Sequence, residues 1–177
     1  MATKETGETT EVKIEGCESA EPVKEHKWLQ QLIGNWTYEG EAVMGPGQPP
    51  VKSTGTETVR TLGDLWILAE GRVEMPGGGQ GTTLATYGYD PQKQRFVGTF
   101  VGSMMTNLWI YEGTLDSSEK VLTLDTEGPD MIEQGKMAKY QDVIEIKSPD
   151  HRTLTSRFLA PDGTWKTFMT ANYRRTT

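Results

Sequence analysis

The chain has 177 residues, enough for one domain with a sizeable core, and a formal net charge of -7. That acidity argues against nucleic acid or an anionic membrane surface as the main partner, because both are bound through basic patches. No stretch approaches the roughly 20 apolar residues of a helical membrane span. Two histidines and one cysteine cannot assemble a zinc site of ordinary ligand spacing.

Residues 1–21 carry Glu5, Glu8, Glu11, Glu15, Glu18 and Glu21 among few apolar side chains, the composition of a solvated, disordered acidic tail. The folded domain is expected over residues 22–177. No apolar segment follows Lys4 in the manner of a secretory signal, and the lone Cys17 has no internal partner. A cytoplasmic protein is expected. Asn35-Trp36-Thr37 matches a glycosylation sequon, which matters only in a secreted chain.

Pro22 to Ile33 has the pattern of a short helix. Pro22 suits a first turn, and Trp28, Leu29, Leu32 and Ile33 fall on one apolar face. Gly34 then supplies a residue that tolerates positive φ where the helix ends. From there on the periodicity is two. Strand-like runs occupy Asn35–Val43, Val51–Thr61, Leu65–Glu74, Thr82–Asp90, Arg95–Ser103, Asn107–Gly113, Lys120–Thr126, Met137–Lys147, Thr153–Leu159 and Trp165–Arg174. Turn signals such as Gly63-Asp64, Asp90-Pro91, Gly128-Pro129-Asp130 and Pro161-Asp162-Gly163 separate them. Ten short strands joined mostly by hairpins shed their exposed edges by closing. The expected fold is therefore all-β, a closed up-and-down antiparallel barrel of about ten strands with one short N-terminal helix capping an end. Strands do not alternate with long helices, which disfavours a doubly wound nucleotide-binding fold.

If Trp36 faces the lumen, so do Tyr38, Gly40 and Ala42, while Thr37, Glu39 and Glu41 face water. The lumen candidates are Trp36, Tyr38, Tyr87, Trp109, Tyr111 and Tyr140, with Glu112 and Asp142 as polar groups that fix a ligand. Glu70, Arg72 and Arg157 are also mid-strand charges. The default for each such charge is the wet outer face, because unpaired buried charge is costly. Met104 and Met105 between two strands suit a loop packed on the barrel rim or a pocket mouth.

Motifs for chemistry are sparse. Gly77-Gly78-Gly79-Gln80-Gly81 lacks the following helix that a phosphate loop needs, so it is a hairpin loop. His151 sits beside Asp150 in a turn with no nucleophile to complete a triad, and His26 lies on the helix. Neither is placed mid-strand as an axial haem ligand. No metal, cofactor or catalytic residue is expected. A carboxylate pair from Glu70, Glu112 and Asp142 would need two of them inward and close.

Gly34-Asn35-Trp36 resembles the signature that opens lipocalins and their calycin relatives. The run from His26 to Trp36, with Gly88-Tyr89-Asp90, Phe96 to Phe100, Glu112-Gly113 and Tyr173-Arg174-Arg175, resembles a bacterial family of domains of unknown function thought to adopt a lipocalin-like barrel. The resemblance implies that Gly34 and Trp36 close the barrel and that a last-strand arginine, Arg174 or its neighbour Arg175, braces Trp36. Without a signal peptide or a cysteine pair, the chain is nearer in habit to fatty-acid-binding or nitrobindin-like barrels. A small, largely apolar molecule in the barrel is the leading expectation. The alternatives are a homodimer-forming interaction module presenting Trp66 and Leu68, and a hydrolase or isomerase using lumen carboxylates.

Overall fold

The computed structural model describes residues 20–43, 45, 47–74 and 77–176. Most of the acidic segment, including Cys17, lies outside the described residues. One helix, α1 (Lys24–Leu29), runs into a 3-10 turn (Gln30–Leu32). Ten strands follow: β1 (Gly34–Ala42), β2 (Val51–Leu62), β3 (Trp66–Glu74), β4 (Gln80–Asp90), β5 (Arg95–Gly102), β6 (Trp109–Leu115), β7 (Val121–Pro129), β8 (Met137–Ser148), β9 (His151–Leu159) and β10 (Trp165–Thr176).

Each strand pairs antiparallel with the next, and β10 returns to pair with β1, so the sheet closes into an up-and-down barrel. Closure gives every strand two neighbours and leaves no unpaired edge. Ten strands enclose more width than the eight that side chains alone can fill. The expected fold is the observed one.

The differences are local and have physical causes. The helix is shorter than its apolar face suggests, because Ile33 already adopts an extended conformation. Gly34 is the first residue of β1 rather than a helix cap. Its φ of 134° is a conformation side chains resist, and a Cβ there would collide with the Arg175 guanidinium. Strand β9 begins at His151, ahead of the expected Thr153, because Arg152 pairs in register with Ile146 and Tyr173. In β10 a bulge between Thr167 and Met169 shifts the alternation of faces.

The helix plugs one end of the barrel. Trp28, Leu29 and Leu32 are buried, and the Trp28 indole N–H donates to the Glu119 carbonyl at 2.7 Å. His26 Nδ1 accepts the Val23 N–H at 3.0 Å, so its Nε2 carries the proton and donates to the Tyr89 carbonyl at 3.0 Å. Beneath the plug, Trp36, Ile67, Leu122, Leu124 and Ile144 form a core that excludes water.

Candidate functional site

The inner wall changes along the barrel axis. Near the helix, the inward residues Trp36, Ile67, Leu122 and Ile144 are no more than 2% exposed. Towards the opposite end, Tyr38, Phe100, Trp109, Asp142 and Phe158 also face inward but are only half-buried. Tyr111, Tyr140 and Ser156, also inward beyond the helix, are 3%, 4% and 4% exposed, so the accessible surface in that half belongs to part of the wall.

Glycines stand opposite several of the inward rings. Tyr38 lies opposite Gly55, Tyr111 opposite Gly98, and Phe96 opposite Gly113. A Cβ added at Gly128 would overlap the Trp109 ring, and one at Gly55 would overlap Tyr38. The Tyr38 and Trp109 rings lie over Gly55 and Gly128 on the neighbouring strands. Tyr87 and Tyr111 stack with centroids 6.2 Å apart, and Trp109 meets Tyr140 edge to face at 5.1 Å.

Two polar clusters interrupt this aromatic wall. The first is the Glu57–Arg152 ion pair, whose side chains are 15% and 5% exposed. The Arg152 guanidinium carbon lies 4.0 Å from the Tyr173 ring centroid and 4.8 Å from that of Trp36. Its Nε has no protein partner. Glu57, Arg152, Tyr87 and Leu32 line a cavity of about 20 Å³, room for one water molecule. The second cluster is Asp142, which accepts from the Tyr111 hydroxyl and from Ser156 Oγ, each at 2.5 Å. Loss of solvent raises the Asp142 carboxyl above the usual carboxylate value, against the opposing effect of those two donors. Burial, then the Glu57 charge, pushes Tyr38 up to about 12. Burial moves Tyr87, Tyr111 and Tyr173 upward as well. All four tyrosines remain neutral donors at neutral pH.

The structure brings Tyr38, Tyr87, Trp109, Tyr111 and Asp142 together on the lumen wall. Trp36 belongs to the helix-plugged end, where its N–H donates to the Leu32 carbonyl at 2.9 Å. Tyr140 faces inward at the far rim, and its hydroxyl is spent on the β7–β8 connection, donating to the Pro129 carbonyl at 2.6 Å. Met105, in the turn after β5, accepts the Trp109 N–H through Sδ at 3.1 Å. Two placements differ from expectation. Glu112 points outward to Lys93 at 2.7 Å, because its neighbour Tyr111 takes the inner face. Arg174 is exposed; Arg175 lies opposite Trp36, 4.2 Å from its ring centroid, and donates to the Ile33 carbonyl and, at 2.9 Å, to that of Gln31. The β10 bulge is the reason, since it moves Arg175 onto the face that holds Phe168.

Glu70 pairs with Arg60 outside the barrel at 3.0 Å. With Glu70 and Glu112 both outside, a carboxylate pair built from Glu70, Glu112 and Asp142 cannot form. The sequence-based set of lumen residues lacks Glu57, Arg152, Tyr173 and Ser156. Period two carried from the apolar Val59 places Glu57 inside, and from Leu154 it places Arg152 and Ser156 inside. No helix among the described residues is long and apolar enough to cross a membrane. Among the described residues no group of three or more His, Cys, Asp or Glu could hold a metal.

The architecture and its wall define a closed ten-stranded antiparallel barrel with a helix-plugged end and an aromatic inner wall. The chain belongs to the family described as a protein of unknown function, DUF1579, which matches residues 21–175. Among solved structures it is similar to Rv2717c from M. tuberculosis, with a TM-score of 0.62 and 12% identity over 89% of this chain and 100% of that one. At that identity the likeness is one of fold. It is also similar to a de novo designed fluorescence-activating β-barrel, with a TM-score of 0.46 and 14% identity over 83% of this chain and 95% of that one. A third similar structure is a redesigned β-barrel, mFAP0, bound to DFHBI, with a TM-score of 0.44 and 15% identity over 82% of this chain and 100% of that one. No curated protein matches.

Proposed function

We infer that the chain binds a small organic molecule in the half of its lumen away from the helix, held mainly by aromatic contact. Tyr38, Tyr87 and Trp109 supply the apolar wall, and Asp142 supplies a polar anchor. The supporting observation is that Tyr38, Phe100, Trp109, Asp142 and Phe158 face inward and keep part of their surface accessible, whereas Trp36, Ile67, Leu122 and Ile144 near the helix do not. The Tyr38 and Trp109 rings, lying over glycines, offer part of that surface to a guest. A thermal-shift panel of small aromatic alcohols and nitrogen heterocycles tests the reading. A member present at a hundredfold excess over its dissociation constant stabilises by about 2.7 kcal/mol, which raises the midpoint by roughly 5–10 °C. A panel in which no compound produces a saturable rise refutes it.

A second reading rests on the outer face. Leu84 and Val101 oppose each other on β4 and β5, and Leu108, Ile110 and Met137 are more than half exposed alongside them. This row, rather than Trp66, which lies over Gly88, would be the contact surface of a homodimer. Sedimentation velocity tests it: a dimer that Ile110→Lys dissociates supports the reading, and a monomer at high concentration refutes it.

A further inference from the structure

We propose that the ligand carries a positively charged nitrogen on an apolar or aromatic body, and that this nitrogen pairs with Asp142. The inference rests on the lumen reading above. Glu57, Arg152 and Asp142 are charged side chains on the inner face of the barrel, the first two close to the helix-plugged end. Glu57 and Arg152 neutralise each other, and Arg152 is further held over the Tyr173 and Trp36 rings. Asp142 has no cationic partner among the described residues. Yet it is held in one orientation, each oxygen accepting one hydroxyl, from Ser156 and from Tyr111. A carboxylate oxygen offers more than one lone pair, so both retain acceptor capacity.

Such a group is costly away from bulk water unless it is paired and hydrogen-bonded. The two hydroxyls meet part of that need, and a ligand cation would meet the rest. The surroundings suit one. Tyr87 stacks on Tyr111, the ring whose hydroxyl reaches Asp142, and the Trp109–Tyr140 pair stands on the same wall. Ring faces attract organic cations, and a carboxylate among aromatic rings is the arrangement that recognises ammonium groups. The upward displacement of the Asp142 carboxyl reports the same desolvation from the proton's side.

Calorimetric titration of the full chain at pH 8 with benzylammonium, benzyl alcohol and benzoate separates the possibilities. Benzylammonium is expected to bind about ten- to a hundredfold more tightly than benzyl alcohol, the range of a hydrogen bond to a charged group. Benzoate should bind most weakly. Asp142→Asn removes the charge, keeping one oxygen to accept a hydroxyl and an amide N–H to donate to the other, and should erase the preference for benzylammonium over benzyl alcohol. Equal binding of benzyl alcohol and benzylammonium overturns the charged-ligand inference and leaves the lumen reading standing. Failure of all three probes to bind overturns both.

A pH series on the wild-type chain keeps the inference falsifiable where the variant does not fold. Asp142 is faced by Tyr111 from β6, Tyr87 from β4, Ser156 from β9 and Leu124 from β7, with Glu57 and Arg152 the next charges. Both tyrosines stay neutral in this window. Benzylammonium affinity should therefore fall as pH is lowered and Asp142 takes up a proton, while benzyl alcohol affinity holds. A benzylammonium affinity that does not change from pH 8 to pH 4 overturns the inference.

Discussion

Removing either partner of the Glu57–Arg152 pair tests whether the lumen is as dry near the helix as the structure describes. Arg152 is 4% exposed, and its guanidinium is enclosed by Glu57, Tyr173 and Trp36. Glu57→Leu leaves that guanidinium buried with no counter-charge, and its Nε already lacks a protein partner. Loss of one member of a buried pair costs about 3–5 kcal/mol. For a domain of this size each kcal/mol moves the melting midpoint by roughly 2–4 °C, so a fall of about 6–20 °C is expected. Arg152→Met leaves Glu57 unpaired and also loses the ring contacts, at comparable cost. The double variant Glu57→Leu/Arg152→Met removes both charges and should recover most of the loss, because two apolar side chains replace the pair without an orphan. Thermal unfolding followed by near-ultraviolet circular dichroism at pH 7 measures all three. Single variants that lose less than about 1 kcal/mol would show that water reaches the pair, as at a surface site. A double variant no better than the singles would refute the argument from charge.

Three other outcomes follow from the wall and its closure. Gly128→Ala should cost about 1–3 kcal/mol, the range for overpacking, and should alter the Trp109 fluorescence, because the new Cβ displaces that ring; an unchanged midpoint and spectrum would contradict the packing of that ring over Gly128. Arg175→Ala should lose about 2–4 kcal/mol through its carbonyl contacts and the Trp36 ring, whereas Arg174→Ala should stay within about 0.5 kcal/mol, as a pair of urea titrations would show. The raised Asp142 carboxyl has a definite sign: the fold binds that proton more tightly than the unfolded chain does, so its stabilising effect is present at low pH and is lost as pH rises through the folded value. Asp142→Asn should therefore be more stable than the wild type at pH 8 and equal to it near pH 3, and a variant less stable at pH 8 would refute this.

Much of the fold was legible because each strand carried its own period-two pattern between Gly, Pro and Asp turn signals, and ten such runs have few ways to bury themselves. The inward placement of Tyr38 follows directly from Trp36 by alternation. What alternation cannot carry is an interruption. The bulge after Thr167 reverses the faces of β10 and exchanges Arg174 for Arg175, and nothing in the local composition announces it. Charge misled in two directions. Glu112 sits among aromatic residues yet faces water, while Glu57, flanked by Thr56 and Thr58, faces inward because its partner stands 95 residues away on β9. Alternation from Val59 points Glu57 inward, but the distant counter-charge that makes its burial tolerable leaves no local mark in sequence. The same holds for Ser156, whose importance lies in the oxygen of Asp142 across the strand pair.

The position of a small molecule in the half of the lumen away from the helix can be read directly. Amide chemical shifts of the isotope-labelled protein, followed during titration with benzylammonium and with benzyl alcohol, give the position of each probe. Saturable shifts are expected at Tyr87, Phe100, Trp109, Asp142 and Phe158, with Leu29 and Leu122 unmoved at the helix-plugged end. Shifts confined to the outer row around Ile110, or no saturable shift with either probe, would contradict the lumen reading.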